Sequence, residues 1–299
     1  MVITRLCGGL GNQLFQYAAG LALSNRLKVP ITIDNYYYQH QPAVNTPRQF
    51  LLDRLSLKYC FASRREQYLA GKIFSANRFQ RKFGRALKSI LLSPYSFYRE
   101  PMFYVYDVNL LKSSCNTVID GYWQSFRYLQ PIEALLRKDV VVLPQYRHEQ
   151  QDVLDICTPC QGIFVHVRRG DYVSNPSAAA HHVLTSTDYY RASIEKCSNE
   201  ITNPYFVLFS DDIIWVKENI VPLLSDKKYK IFKSQDPYGL DDFFHMSKCS
   251  HAIITNSSFS WWAAWLISNK NKLVIAPKKW LKNSSQQFID LIPPNWITI

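Results

Sequence analysis

The sequence predicts an α/β protein made of two Rossmann-type domains. Strand-like and helix-like segments alternate along most of the 299 residues, and a polar stretch at 145–162 separates two such halves. Hydrophobic residues make up 47% of the chain, which is enough to fill the cores of two ordinary domains. Strands that alternate with helices predict parallel sheets, so we expect ligands at the carboxyl ends of the strands.

The first half opens with a strand, a turn, a helix and a second strand. Residues 2–7 alternate in the manner of a strand, and a glycine-containing turn follows at 8–12. Apolar residues then recur at helical spacing through 13–27, and 29–34 has the character of a second strand. Further on, 118–129 is predicted to be a strand that leads into an aromatic loop and a helix.

The second half repeats this alternation more regularly. Strands and helices are predicted in turn at 163–168, 187–197, 205–210, 213–224, 229–232, 239–248, 251–255, 259–268 and 272–276. We therefore divide the chain into a first domain at 1–155, a second domain at 156–276 and a tail at 277–299. The tail is expected to pack back on the first domain.

The chain is basic, with a formal net charge of +12 from 35 Lys and Arg against 23 Asp and Glu. Such a protein is expected to bind nucleic acid, a membrane surface or phosphorylated substrates. No nucleic-acid-binding module is recognisable in the sequence, so a non-enzymatic nucleic-acid binder is the weakest alternative. We predict no nucleic-acid partner.

One basic segment, 61–91, has two interpretations. It holds eight Lys or Arg against one acid, Glu66, and it either docks on anionic lipid or forms a solvated face beside a core stripe. The N-terminus lacks the basic and apolar regions of a signal peptide, and no window approaches the roughly 18 apolar residues of a membrane span. The sequence predicts a cytoplasmic protein, with a peripheral contact at the inner membrane as the alternative.

The seven cysteines indicate reduced thiols, because an odd number in a chain without a signal peptide does not suit a disulfide framework. Cys157 and Cys160 have the spacing of a redox or zinc motif. Zinc would need two further ligands, and the sequence has no second close pair of cysteines. A structural role is favoured, and no metal site is predicted.

The stretch "GIFVHVRRGDYV" places charged residues at the end of a core-like strand. Side chains alternate along a strand, so His166 and Arg168 share one face and Arg169 has the other. Arg168 is expected to meet a phosphate, since guanidinium groups pair well with phosphate oxygens. Asp171 either orients one arginine or acts as a base toward a sugar hydroxyl, and a structural Arg–Asp pair is the alternative.

The turn "GGLGNQ" partly matches a dinucleotide-binding fingerprint. Gly9 and Gly11 fit the pattern, but Leu14 stands where the third glycine is needed. Glycines let the backbone approach a ligand, and the helix beginning near Asn12 offers N–H groups to an anion. Asn12 is equally suited to a plain helix cap.

Two further strands are predicted to end in polar residues. Asp211 and Asp212 follow the strand "FVLFS", where they can bind ribose hydroxyls, guanine N–H groups or a divalent cation, or cap the next helix. After the strand at 251–255, small polar residues suit phosphate or base contacts as well as capping. The tryptophans of the following helix have the spacing of core residues: Trp261, Trp262 and Trp265.

Four motifs taken in order resemble one family. "GGLGNQLFQYAAG", "HVRRGDYV", "FSDD" and "TNSSFSWWAAWL" are similar to those of bacterial α-1,2-fucosyltransferases, the inverting glycosyltransferase family 11. The resemblance implies a GT-B-like architecture of two Rossmann-type domains facing across a cleft. It also implies that the second domain holds GDP-β-L-fucose and the first an acceptor, with fucose transferred to O2 of a terminal galactose on a glycan.

The resemblance assigns roles residue by residue. Arg168 would contact the donor diphosphate, and Asn12 would lie near the reacting sugar. No metal or other cofactor is implied, and Asp171 is the first candidate for the base, with His182 the second. The residues expected to bind the donor are His166, Arg168, Arg169, Asp211, Asp212, Asn256, Ser257, Ser258, Phe259, Gly9 and Gly11. A GT-B transferase that uses another nucleotide-sugar is the alternative. The acceptor is a free or a lipid-linked glycan.

Overall fold

The computed structural model describes residues 1–41, 46–68, 95–157, 161–181, 183–282 and 289–299. The chain forms two compact units, each described by itself below. The first comprises Met1–Gln41, Arg48–Val140 and Phe288–Leu291, and the second comprises Pro42–Pro47, Val141–Gln287 and Ile292–Ile299. Most of the basic segment 61–91 lies outside the described residues.

The first unit contains a parallel five-stranded sheet in the order β3-β2-β1-β5-β4. Its strands are β1 Val2–Arg5, β2 Ile31–Asp34, β3 Cys60–Phe61, β4 Ser96–Arg99 and β5 Thr117–Asp120. Its helices are α1 Leu10–Leu27, α2 Val108–Leu111 and α3 Glu133–Asp139. Short 3-10 turns occur at Tyr36–Gln39, Leu52–Arg54, Phe126–Tyr128 and Gln130–Ile132.

Helix α1 packs closely on β1, and the residue types at the contact explain how. An ideal Cβ built on Gly20 would lie only 2.0 Å from Oγ1 of Thr4, so no larger residue fits between helix and strand. The helix ends where Lys28 takes a left-handed conformation, with φ at 54°. The helix predicted after the strand at 118 is instead two 3-10 turns followed by α3, because Pro131 favours a new start there.

The second unit contains a parallel six-stranded sheet in the order β11-β10-β9-β6-β7-β8. Its strands are β6 Gly162–Val167, β7 Tyr205–Ser210, β8 Lys228–Ile231, β9 His251–Ile253, β10 Val274–Ala276 and β11 Ile297–Thr298. Its helices are α4 Gln151–Cys157, α5 Gly170–Ser174, α6 Pro176–His181, α7 Thr187–Glu200, α8 Ile213–Asn219, α9 Leu240–Lys248 and α10 Ser258–Leu266. Further 3-10 turns occur at Pro144–Tyr146 and Val221–Leu224.

Strand β6 is central, and all six of its residues are buried, which is why its sequence is almost continuously apolar. The predicted α/β fold class with parallel sheets is confirmed. Trp261, Trp262 and Trp265 of α10 belong to the core, as their spacing predicts, with exposures of 0%, 0% and 8%. Strand β9 ends at Ile253, two residues earlier than predicted, so Thr255 belongs to the loop that follows.

Each sheet reverses its direction of winding next to its first strand. In the first unit, β2 and β3 lie on one side of β1 and β5 and β4 on the other; in the second, β7 and β8 flank β6 opposite β9, β10 and β11. In open parallel sheets the ligand binds beyond the carboxyl ends of the strands at such a reversal. The loops after β1 and β5, and after β6 and β9, are therefore the places to examine for a site.

The tail contributes to both units. Asp290 accepts a hydrogen bond from the backbone N–H of Tyr106 (2.7 Å) and lies 3.6 Å from Arg127, both in the first unit. Ile297 and Thr298 pair with β10 as the edge strand of the second sheet. In the second unit the sulfur of Cys157 lies 2.8 Å from that of Cys249, and both residues are buried. Cys160 lies outside the described residues.

Candidate active site

His166 lies at the carboxyl end of β6, and one of its ring nitrogens has no hydrogen-bond partner among the described residues. The residue is 5% exposed, and its Nδ1 makes no hydrogen bond within the part of the chain that the structure describes. Burial and the positive charge of Arg168 lower the pKa of His166 to about 3, so the ring is neutral near pH 7. Buried polar atoms are normally hydrogen-bonded, so this nitrogen marks a place where a ligand can bind.

The two arginines that follow β6 have different surroundings. Nε of Arg168 lies 3.2 Å from Oδ2 of Asp211, and its side chain is 26% exposed. Nε of Arg169 lies 3.2 Å from Oδ2 of Asp212, and its guanidinium carbon lies 4.4 Å from the centre of the Trp215 ring. The sequence prediction of separate roles agrees with this geometry, in which Arg169 is stacked and Arg168 stands beside His166.

Both carboxylates after β7 are engaged within the protein. Asp211 also accepts the backbone N–H of Arg169 at 2.8 Å, and an ideal Cβ on Gly170 would lie 2.8 Å from its Oδ2. Asp212 caps α8 by accepting the N–H of Trp215 at 3.0 Å. The capping interpretation therefore holds for Asp212, and donor contact by either residue stays a prediction.

The loop after β9 is held by a buried amide. Asn256 is 3% exposed, and its Nδ2 donates to the carbonyl oxygens of Val183 (2.8 Å) and Trp280 (2.9 Å). Its Oδ1 accepts from the hydroxyl of Thr255 at 3.0 Å. Asn256 thus ties three loops together, and the geometry gives it a bracing role where the sequence predicts a donor contact.

Helix α10 begins beside His166. Ser257 is its N-cap residue, and its hydroxyl makes no capping bond to the described helix backbone. Ser258 is the first helical residue, and the ring of Phe259 lies 5.8 Å from the His166 ring and 5.5 Å from that of Phe243. Serine hydroxyls, a helix start, Phe259 and the neutral histidine thus gather at the reversal of the second sheet.

The predicted bases cannot be located in detail. Asp171 lies in the first turn of α5, and its side chain is outside what the structure describes. His182 is outside the described residues altogether. Both remain predictions.

One acidic residue of the second unit carries no sequence signal beyond its position. Asp242 lies in the first turn of α9, next to Phe243, and burial raises the pKa of its carboxyl to about 6. A largely buried carboxylate with a raised pKa is a candidate ligand contact.

In the first unit the glycine turn follows β1, and the helix begins earlier than predicted. Gly9 is the N-cap residue of α1, so the capping interpretation of Asn12 is wrong: Asn12 already lies within the first turn. Gly8 has φ at 79°, and an ideal Cβ there would lie 2.6 Å from Nδ2 of Asn12. An ideal Cβ on Gly9 meets nothing within 4 Å, whereas Gly11 is buried.

Buried polar side chains that sequence reasoning missed hold this turn. Gln13 donates to the carbonyl oxygens of Gly8 (3.1 Å) and Gln49 (2.8 Å), and the hydroxyl of Tyr38 donates to Gly8 as well (3.1 Å). Gln16 accepts the N–H of Cys7 at 2.9 Å. The sequence does carry a signal for these contacts: Gln13 and Gln16 are three residues apart on the buried side of an apolar helix.

The loop after β5 lies beside this turn. Nε2 of Gln124 donates to Oδ1 of Asn12 at 2.8 Å. Glu100, just beyond β4, accepts the backbone N–H groups of Tyr122 (2.6 Å) and Trp123 (3.0 Å). Burial raises the pKa of Glu100 to about 7, against the effect of these two hydrogen bonds.

The charged side chains at this edge form ion pairs with one another. The exposed side chains described there include aromatic rings. Arg5 lies 3.3 Å from both Asp34 and Asp120, and Arg99 lies 2.9 Å from Asp120. Phe103 and Tyr122 remain 47% and 38% exposed, with ring centres 5.8 Å apart. This edge offers aromatic faces and amides rather than free positive charge.

The two parallel sheets, with basic residues at the carboxyl edge of the second, define an α/β protein suited to a phosphorylated ligand. The chain belongs to glycosyl transferase family 11, whose profile matches residues 1–299. The resemblance stated from the sequence motifs is therefore confirmed.

Individual proteins extend this comparison. An α-1,2-colitosyltransferase of Escherichia coli is 32% identical, over 100% of this chain and 99% of its own. The galactoside α-(1,2)-fucosyltransferase 2 of Mus musculus is 30% identical, over 49% of this chain and 43% of its own. A mutant of Arabidopsis thaliana FUT1 in complex with GDP has a similar fold, with a TM-score of 0.51 and 10% identity, covering 92% of this chain and 70% of that one.

No group of three or more His, Cys, Asp or Glu in the described part of the chain could hold a metal ion. No described helix is long and apolar enough to span a membrane. Metal-independent transfer remains a prediction.

Proposed function

We propose that the protein transfers L-fucose, with inversion, from GDP-β-L-fucose to O2 of a terminal galactose on a glycan, forming an α-1,2 linkage. The observation that carries this proposal is the group at the reversal of the second sheet. There a neutral, buried His166 with an unused Nδ1 lies beside Arg168 and under Phe259. Membership of family 11 supports the same reaction class.

In this proposal Arg168 stabilises the diphosphate as GDP departs. Negative charge develops on the leaving phosphate oxygen, and a guanidinium already in place stabilises it without reorganisation. Nε of Arg168 lies 3.2 Å from Oδ2 of Asp211, which also accepts the backbone N–H of Arg169, so Asp211 holds the guanidinium in place for the phosphate. No metal is needed for this step.

His166 supplies the second donor contact. A neutral imidazole with one unused nitrogen can donate to a phosphate oxygen or accept from a sugar hydroxyl, according to its tautomer. The start of α10, with Ser258 and Phe259, offers backbone N–H groups and a ring on the same side. Together these groups suit a nucleoside diphosphate.

Asp242 is our candidate for the guanine edge, alongside the predicted Asp211 and Asp212. A carboxylate can accept both N–H groups that guanine presents on its Watson–Crick edge. Asp212 is occupied as a helix cap, and Asp211 pairs with Arg168. Asp242 has a side-chain hydrogen bond with Ser234 and a carboxyl pKa raised by burial, and we propose it as a further candidate.

The first unit is proposed to bind the acceptor. The exposed rings of Phe103 and Tyr122 can stack on the apolar face of a galactose residue, and nearby amides can bind its hydroxyls. Asn12 is proposed to lie near the reacting sugar, and Asp171 is proposed to accept the proton from the attacking hydroxyl. We propose a cytoplasmic site of action on glycans that include lipid-linked ones, with peripheral contact at the membrane through 61–91.

A second donor has a specific observation in its favour. The relative that matches the whole chain at 32% identity is an α-1,2-colitosyltransferase, so GDP-colitose is the alternative nucleotide-sugar. The residues at the reversal of the second sheet would bind either donor, because both nucleotide-sugars carry the same diphosphate and the same guanine.

The decisive assay incubates the folded protein with GDP-fucose, GDP-colitose, GDP-mannose or a UDP-sugar, and with a panel of glycans, half of them galactose-terminated. We expect transfer from GDP-fucose to galactose, an α-1,2 linkage by NMR, and full activity in EDTA. If the protein transfers sugar from GDP-colitose and from no other donor, the proposed donor is GDP-colitose and not GDP-fucose. No transfer to any galactose-terminated glycan would overturn the function, and loss of activity in EDTA would overturn the metal-free mechanism.

A further inference from the structure

The first turn of α1, which follows β1, meets the loop after β5 at the reversal of the first sheet. Nε2 of Gln124 in that loop donates a hydrogen bond to Oδ1 of Asn12 in α1, although the two residues are 112 positions apart. Because the Asn12 oxygen accepts this bond, its Nδ2 lies on the opposite side, over Gly8. The bond therefore fixes which way round the Asn12 amide stands.

The loop that carries Gln124 has an unusual backbone. Trp123 has φ at 54°, in the left-handed region that a bulky residue rarely adopts, and Gly121 has φ at 154°. Such a conformation persists only where its surroundings hold it. The Trp123 ring is 1% exposed and packs against Tyr98 and Tyr128, which anchors the loop at one point.

Glu100 anchors the same loop at a second point. Its two carboxylate oxygens accept the consecutive N–H groups of Tyr122 and Trp123, so it grips the backbone immediately before Gln124. The fit is close, because an ideal Cβ on Gly121 would lie 2.3 Å from Cβ of Glu100. A glutamine at position 100 would turn an N–H donor toward one of these N–H groups and lose that contact.

The chain of contacts runs from Glu100 to the loop, from the loop to Gln124 and from Gln124 to Asn12. We propose that Glu100 and Gln124 are positioning residues that set the orientation of the Asn12 amide for sugar transfer. This inference rests on the proposed role of Asn12 in the reaction. Burying a carboxylate costs free energy, and here the buried Glu100 holds the loop whose residue Gln124 bonds to Asn12 next to the glycine turn.

Variants of Gln124 test the proposal without disturbing a core. Gln124→Ala removes the bond, whereas Gln124→Glu keeps a contact but reverses it, because a carboxylate accepts from Nδ2 and turns the Asn12 amide over. We expect both variants to lower kcat by about 10- to 100-fold with less than about a threefold change in donor KM. Gln130→Ala, at an exposed glutamine six positions along, is the matched control and is expected to leave kcat unchanged.

A double-mutant cycle separates positioning from a general effect on the fold. Asn12→Ala combined with Gln124→Ala should be no slower than Asn12→Ala alone, because Gln124 acts through Asn12. The proposal would be overturned if the loss of kcat in the double variant equals the product of the two single losses. It would also be overturned if both Gln124 variants keep the kcat of the wild type.

Variants of Glu100 extend the test to the anchor. Glu100→Gln should lower kcat in the same direction as Gln124→Ala, and the two together should lose less than the product of their separate effects. Glu133→Gln, at an exposed residue paired with Arg137, is the matched control. If Glu100→Gln is folded, as judged by its thermal transition, and has wild-type kcat, Glu100 has no part in positioning.

A spectroscopic measurement keeps this inference separable from the proposed function. In protein labelled with 15N-asparagine, the side-chain amide signal of Asn12, assigned with Asn12→Ala, should move in Gln124→Ala and Gln124→Glu and stay in Gln130→Ala. A protein that transfers no fucose but shows these shifts would contradict the function and leave the positioning intact. Unmoved signals in both Gln124 variants would overturn the positioning whatever the enzyme transfers.

Discussion

The carboxyl edges of the two sheets share a topology and differ in chemistry. In both, the winding reverses beside the first strand, and the loops there carry the candidate residues. In the second unit these residues are Arg168, Arg169 and a neutral His166, which suit an anion. In the first unit the cations are paired with aspartates, and amides and exposed rings remain, which suit a neutral sugar. Topology thus determines where a ligand binds, and side chains determine which ligand.

The largest effect is expected from removing the cation of the second edge. Arg168→Ala should lower kcat with GDP-fucose by about 100- to 1000-fold, since charge on the leaving diphosphate loses its partner. Steady-state kinetics measures this, with Arg168→Lys expected to be intermediate. Arg191→Ala, which removes an exposed arginine paired with Asp188, is the control. A near-normal turnover of Arg168→Ala would remove its role and the contrast between the edges.

A smaller effect is expected at the first edge, and it should appear in the KM for the acceptor and not in kcat with GDP-fucose. Phe103→Ala and Tyr122→Ala should each raise the KM for the acceptor by about tenfold, from the loss of roughly 1–1.5 kcal/mol of stacking, with an unchanged donor KM. Tyr229→Ala, at an exposed tyrosine of β8, is the control. If the donor KM rises instead, the assignment of acceptor to the first unit is wrong.

The last effect is on stability and not on turnover, and it concerns the pH dependence of Asp242. Its folded pKa is about 6, against an ordinary value of 3.8, so the folded protein binds more protons than the unfolded chain between these limits. The free energy of unfolding of the wild type should therefore fall, relative to Asp242→Asn, by about 1–2 kcal/mol as pH rises from 4 to 6.5. Urea denaturation at several pH values measures this difference. Parallel pH profiles for the two proteins would contradict the raised pKa.

Strand alternation was enough to predict different surroundings for Arg168 and Arg169, because both residues directly follow a regular buried strand. The same local reasoning could not find Glu100 or Gln124, whose partners are 22 and 112 residues away along the chain. It also assigned Asn12 as a possible cap, since it could not show that α1 begins at Leu10. Asn256 shows the same limit: its bonds to Val183 and Trp280 depend on loops that only the folded chain brings together.

The contrast between the two edges is tested most directly by titrating GDP into the wild type and two variants in a calorimeter. We predict that Arg168→Ala weakens GDP binding by at least about tenfold, because it removes a phosphate contact of the second edge. Asn12→Ala should bind GDP within about twofold of the wild type, because the first edge serves the sugar chemistry. Equal losses in the two variants, or a loss confined to Asn12→Ala, would contradict the account.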